Sequence, residues 1–404
     1  MPALFDNVQA APPDAILGLT EAFRSDPNPK KVNLSVGVYQ DAHGKTPVLR
    51  TVKAAEARIL KDEDTKGYMP IGGDPGYGAL VQTMLFGGGG DVAESGRAFT
   101  FDTPGGTGAL RVAADYLHNA HNGTTLWLSD PTWPNHPGVF SAAGLPLKTY
   151  PYFDSSTNQL DLDAMLAALS AVGAGDVVVL HACCHNPTGV DPDVEQWNKI
   201  ADLLNERNAL PLVDFAYQGF ADGLEEDAAG LRAIAGKCPE LIVCSSFSKN
   251  FGLYRERVGA MTVVAGSAAA AAAVKSQASQ AVRRNYSNPP AHGALVVRAI
   301  MEDDKLRDEW QVELAEMRNR INGMRSTFAD ALTQRGVKLS PTGNAFVTTQ
   351  RGMFTMTGLT KDHVAALREK FAIYVVGSGR INVAGLTDAN VAYVADAIAE
   401  VVGD

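Results

Sequence analysis

The segment Ser245-Ser246-Phe247-Ser248-Lys249-Asn250-Phe251-Gly252 follows directly on the apolar run Leu241-Ile242-Val243-Cys244. A short apolar run after Pro239 reads as a strand buried on both faces, as in the mostly parallel sheet of an α/β protein. Lys249 then stands at the mouth of that strand. Lost hydration there lowers the ammonium pKa and makes the free amine a usable nucleophile. The flanking serines add hydroxyl donors suited to an anion. Taken alone, the same lysine would simply snorkel to water, so the argument turns on its surroundings.

Working outward, strands and helices alternate from Gly105 to about Ser248, which favours a largely parallel sheet with crossover helices. The clearest strands are Thr125 to Ser129, Asp176 to Cys183, Leu210 to Phe215 and Leu241 to Cys244, with helices over Leu162 to Leu169 and Val194 to Asn205. Val32 to Tyr39 is strand-like and Asp41 to Lys45 a turn. Helical spacing recurs over Val52 to Leu60 and Leu306 to Leu332, the latter long enough to link two domains. Asp362 to Phe371 and Asp388 to Val401 read as helices of a smaller C-terminal α/β unit. Pro12-Pro13-Asp14 is a helix start with Ile16, Leu17 and Phe23 on one face, preceded by an extended arm. Gly87 to Gly90 is a loop without the lysine of a Walker motif.

Several strand ends carry chemistry. Asp214 closes an apolar strand, where a carboxylate is costly unless paired; a pyridine nitrogen is one suitable partner, and the phenol of Tyr217 would lie nearby. Gly105-Gly106-Thr107-Gly108 opens a helix after strand-like Ala98 to Phe101, exposing backbone N–H groups and a hydroxyl to a phosphate monoester. Asp130-Pro131-Thr132-Trp133-Pro134-Asn135-His136 presents an aromatic plate and an imidazole. His185-Asn186-Pro187-Thr188-Gly189 offers an amide to an oxyanion, although alone it is a good turn. Arg257 is close enough in sequence to Lys249 to join an anion site, and Arg283 and Arg380 are candidate carboxylate readers. Lysine, carboxylate and phosphate cradle together meet the requirements of pyridoxal phosphate.

The totals set bounds. A 404-residue chain with 46% hydrophobic and 20% charged residues is that of a globular enzyme with more than one domain. A formal charge of -10 argues against general affinity for nucleic acid or anionic membrane, so anionic substrates need local arginines. No signal peptide or membrane span is visible; the longest uncharged apolar candidate, Gly259 to Val274, is rich in alanine and ends at Lys275. Four cysteines make no disulfide framework, and adjacent Cys183 and Cys184 lack metal-ligand spacing, so no metal is expected. The cytoplasm is the expected location.

In combination, Gly67-Tyr68, Gly-Gly-Thr-Gly-Ala-Leu, Trp-Pro-Asn-His, Cys-Cys-His-Asn-Pro-Thr-Gly, Asp-Phe-Ala-Tyr-Gln-Gly-Phe, Ser-Phe-Ser-Lys-Asn-Phe-Gly and Asn-Tyr-Ser-Asn-Pro-Pro resemble the aspartate/aromatic aminotransferases, class I enzymes of fold-type I. The likeness runs nearly end to end. It implies a large pyridoxal phosphate domain (47–319) with a mostly parallel seven-stranded sheet flanked by helices. A smaller α/β domain (15–46 and 320–404) and an N-terminal arm (1–14) would complete the chain.

By motif position the resemblance implies that Lys249 carries the cofactor Schiff base and Asp214 pairs with the pyridine nitrogen. Tyr217 and Asn186 would hold the 3-oxygen, and Trp133 would stack on the ring, with His136 and His181 behind Asp214. Gly106, Thr107, Ser246, Ser248 and Arg257 would hold the phosphate, joined by Tyr68 from a neighbouring subunit of a homodimer with shared sites. Arg380, with backbone at Gly37, would bind the substrate α-carboxylate, and Arg283, also crossing the interface, a distal one.

The reaction implied is ping-pong transamination through pyridoxamine phosphate, from L-aspartate to 2-oxoglutarate, with an aromatic or dual-specificity enzyme as the alternative. Val38, Thr46, Thr107 and Asn288 resemble the aspartate branch; Gln40 and Gly67 depart from it. A lyase or decarboxylase on the same fold would leave the two substrate arginines less accounted for. A non-catalytic cofactor-binding protein would show no turnover, and a nicotinamide dehydrogenase would need a glycine fingerprint that is absent.

Overall fold

A computed structural model describes residues 3, 5–10, 17–88, 91–121 and 123–403. Seven strands form the central sheet, in the order Ala98–Pro104, Val258–Val264, Leu241–Ser246, Leu210–Phe215, Val177–His181, Leu126–Asp130 and Leu147–Pro151. Val258–Val264 runs antiparallel to both its neighbours. The other six strands share one direction, as the alternation of elements predicts.

Strand side chains alternate between two apolar layers. Val177 and Val179 enter the layer with Leu126, Leu212 and Ile242, whereas Val178 and Leu180 enter the opposite one with Val213 and Val243. This two-sided burial explains why the strands read as continuous apolar runs. Helix Gly105–Ala120 lays Ala109, Val112 and Ala113 on one layer. The alanine-rich run splits: Val258–Val264 is a sheet strand, and Ser267 caps helix Ala268–Asn285 by accepting from the Ala270 N–H. No described helix is long and apolar enough to cross a membrane.

The remaining elements gather around helix Asp304–Gln334, which extends the expected Leu306 to Leu332 at both ends. Val32–Asn33 pairs in parallel with Ile373–Tyr374, and Phe354–Met356 pairs antiparallel with Arg380–Asn382. The strand expected over Val32 to Tyr39 is therefore much shorter. Its remainder spends its carbonyls on side chains: Ser35 accepts from Arg380, and Val36 and Val38 accept from Asn382. Helix Leu17–Ser25 follows the expected start, but Pro12, Pro13, Asp14 and Ile16 lie outside the described residues, as do Gly89 and Gly90 of the glycine loop. The four cysteines are buried free thiols.

Candidate active site

Ligand sites in open α/β sheets lie beyond the carboxyl ends of the strands. His181 and Asp214 face each other in register at that edge, and Ser246 ends the next strand. Above them is a cavity of about 420 Å³. Its lining includes Gly37, Gly106, Thr107, Trp133, Asn186, Asp214, Tyr217, Ser246, Ser248, Lys249, Arg257 and Arg380. Nearly every residue expected from sequence thus converges on one space.

Lys249 Nζ lies 4.6 Å from the centre of the Tyr217 ring. Burial pushes this lysine down to about 8, with Asp214 opposing the shift and Arg257 adding to it. Asp214 is held below the usual carboxylate range. Burial alone would raise it, but the hydrogen bond from His136, together with the neighbouring His181 and Lys249, outweighs that cost.

Four groups behind Asp214 form a continuous donor–acceptor chain. Asn186 N–H donates to His181 Nδ1 at 3.2 Å, which leaves the His181 proton on Nε2, 3.3 Å from Thr132 Oγ1. Thr132 O–H then donates to His136 Nδ1 at 2.8 Å, and His136 Nε2 donates to Asp214 Oδ2 at 3.0 Å. These tautomers follow from the network. They agree with a His181 imidazole that burial, aided by His136, depresses to about 3. His136 itself is fully buried and meets Trp133 edge to face.

The anion cradle rests on close backbone approach. Gly105 has φ +74°, and a Cβ there would lie 2.5 Å from Arg257 Nη2. Gly259 lets the Gly105-Gly106 peptide pass, since its Cβ would meet the Gly105 carbonyl carbon at 2.3 Å. Helix Gly105–Ala120 has no side-chain cap, so its first N–H groups remain available to an anion beside Ser246 and Ser248. Arg257 Nη1 reaches Ser248 Oγ at 3.4 Å.

At the far wall Arg380 is 2% exposed and its cationic form is disfavoured by burial. It donates to Asn186 Oδ1 at 3.2 Å and Ser35 O at 2.7 Å, while its Nε has no partner among the described residues. Neither acceptor is a carboxylate, so a buried cation is left ready for one. Its guanidinium carbon sits 4.2 Å over the Phe354 ring.

Tyr68 and Arg283 are outside the cavity lining and solvent-exposed in the single chain, Tyr68 at 95%. Arg283 instead donates to Ser287 Oγ. Sequence reading missed Phe354, Tyr254 and Thr132. Tyr254 lines the cavity and accepts from the Tyr39 N–H at 2.9 Å. A glycine turn before a three-residue strand was the sole signal for Phe354, too weak to mark it as a site residue.

The family model described as aminotransferase class I and II matches residues 29–398. The aspartate aminotransferase of Escherichia coli (strain K12) is 52% identical over 398 residues, 98% of this chain and 100% of that protein. An aromatic-amino-acid aminotransferase of Pseudomonas aeruginosa is 48% identical over 400 residues, 99% of each chain. Among solved structures, the aromatic-amino-acid aminotransferase from Burkholderia pseudomallei covalently bound to pyridoxal phosphate superposes with TM-score 0.95 at 45% identity, covering 99% of this chain and 100% of its own. With the matching sheet, cavity and motifs, this makes the chain a member of the class I and II aminotransferases.

Proposed function

We propose that this enzyme transfers the amino group of L-aspartate to 2-oxoglutarate with pyridoxal 5′-phosphate, yielding oxaloacetate and L-glutamate. The observation that carries the reading is a single cavity that sets Lys249 between a buried ionised carboxylate, Asp214, a phosphate-sized cradle at Arg257 and an unpaired cation, Arg380. The donor set fits the cofactor. Asp214 would hold the pyridine nitrogen, Trp133 the ring face, Asn186 and Tyr217 the 3-oxygen. Gly106, Thr107, Ser246, Ser248 and Arg257 would hold the phosphate, a monoester matched to the one helix terminus and one guanidinium present.

When bound, the cofactor supplies an electron sink for negative charge at the substrate Cα. The chain's residues do the rest. Lys249 Nζ, whose burial favours the neutral amine, would accept the substrate Cα proton and hold it for return. Asp214, kept ionised by the His136 chain, would favour the protonated form of the pyridine nitrogen. Arg380 orients the α-carboxylate, and burial of His181, Tyr217 and Asn186 excludes water from that wall.

We further propose a homodimer in which Tyr68 and Arg283 complete the neighbour's site, since both are exposed in one chain and absent from its own cavity. The arm (1–14), the small domain (15–46 and 320–404) and the large domain (47–319) are proposed as the working units, in the cytoplasm. An aromatic or dual-specificity enzyme is the second reading. It is favoured by the anchoring of Arg283, whose guanidinium donates to the neutral Ser287 hydroxyl and forms no ion pair among the described residues.

The test follows the absorption of the cofactor-loaded protein with L-aspartate, then with L-phenylalanine, without acceptor. Much faster conversion with aspartate supports the first reading, comparable rates the second. Carbon dioxide release without a 2-oxo acid would overturn both.

A further inference from the structure

Arg325 is a buried cation that the reaction scheme does not use. It sits in helix Asp304–Gln334, 1% exposed, and has no carboxylate among its hydrogen-bond partners. Burial pushes it down to about 9. Isolated buried charge is costly and persists only where its donors are well used. Here both terminal nitrogens are used on one segment, while the buried Nε has no partner among the described residues. Nη1 donates to Val347 O at 2.9 Å and Thr355 Oγ1 at 2.5 Å; Nη2 donates to Gly352 O at 2.7 Å, Phe354 O at 2.6 Å and, more weakly, Arg351 O at 3.3 Å.

That segment is wedged against the turn that carries Asn186. Arg351 N–H donates to Gly189 O at 2.6 Å, and a Cβ on Gly189 would lie 2.7 Å from Phe354 O. Gly352, at φ +74°, passes so close to Cys184 that a Cβ would come within 2.4 Å. With its carbonyls pinned from one side by Arg325 and its backbone stopped on the other, the chain has one way to present Phe354. The ring lies under the Arg380 guanidinium, meets Tyr217 edge to face at 6.1 Å, and is 3.0 Å from where a Gly37 Cβ would be.

We propose that Arg325 is a positioning residue for substrate recognition: by gathering the 347–355 carbonyls it fixes Phe354 against Arg380 and so sets the geometry of the α-carboxylate site. This rests on the role proposed above for Arg380. A planar fork with parallel donors can gather several carbonyls; an ammonium on a flexible stem cannot reproduce that arrangement.

The experiment compares holoenzyme variants Arg325→Lys, Phe354→Leu, the double variant and Arg380→Leu. Two readouts are taken: KM and kcat for L-aspartate, and the second-order rate of methoxyamine with the cofactor-loaded site, a probe without a carboxylate. The expected result for Arg325→Lys is a KM for aspartate raised roughly tenfold, a smaller change in kcat and an unchanged methoxyamine rate. Phe354→Leu should raise the aspartate KM by a similar factor, and the double variant should be no worse than the more impaired single one. If either single variant leaves the aspartate KM unchanged, if the two effects multiply, or if Arg325→Lys lowers the methoxyamine rate by the same factor as aspartate kcat/KM, the proposal is overturned. Arg380→Leu separates the two layers: if it spares aspartate turnover, the α-carboxylate reading fails and takes this inference with it.

Discussion

Replacing Lys249 by methionine should stabilise the cofactor-free protein below pH 8, and the gain should fade as the pH rises. Lys249 falls from an ordinary 10.5 to about 8 in the folded chain, chiefly by burial. The folded state therefore prefers the neutral amine, while the unfolded chain still binds the proton up to the ordinary value. Below about 8 both states are charged and folding bears the whole burial cost. Between about 8 and 10.5 the unfolded chain binds more protons, so stability rises with pH. A shift of this size corresponds to about 3 kcal/mol at roughly 1.4 kcal/mol per pH unit. The assay is urea unfolding of cofactor-free wild type and Lys249→Met at matched concentration, from pH 7 to 10.5. Subtracting the curves removes the alkaline loss common to both. Wild type should gain about 3 kcal/mol on the variant across that window. A flat difference would show that Lys249 is not desolvated, and the nucleophile argument would lose its physical basis.

Asp214→Asn should lower the aspartate half-reaction by about 10²-fold or more with the phosphate cradle intact, as measured by stopped-flow absorbance. Gly105→Ala places a methyl 2.5 Å from Arg257 Nη2 at a left-handed φ and should weaken cofactor retention, read by equilibrium dialysis. Mixing inactive Lys249→Ala with inactive Arg283→Asp under subunit exchange should restore activity, because one hybrid site receives Lys249 from one chain and Arg283 from the other. No recovery after confirmed exchange would refute shared sites.

The strands were legible because burial on both faces leaves an uninterrupted apolar run, as in Leu241–Ser246, and because chemistry-bearing residues follow each run. The antiparallel strand Val258–Val264 was not picked out: buried throughout, it merges in sequence with the alanine helix beyond Ser267, and its direction is set by pairing with Ala98–Pro104. Val32 to Tyr39 misled for the opposite reason. Its composition is that of a strand, but tertiary demand from Arg380 and Asn382 claims its carbonyls. Phe354 and Arg325 were invisible because their roles come from contacts distant in sequence, as between Arg325 and Phe354 O, or Arg380 and the Phe354 ring.

The same distant contacts join the two ends of the cavity. Arg380 donates to Asn186 Oδ1, and the Asn186 N–H begins the chain through His181, Thr132 and His136 to Asp214. The direction of the histidine chain is fixed at both ends, because the Asn186 backbone N–H can only donate and an ionised Asp214 can only accept. Asn186 therefore serves both ends of the site, its side chain at Arg380 and its backbone at His181. The cavity's substrate cation and its buried carboxylate are thus tied to one residue by buried hydrogen bonds, where the low local dielectric strengthens each link and makes the loss of any one costly.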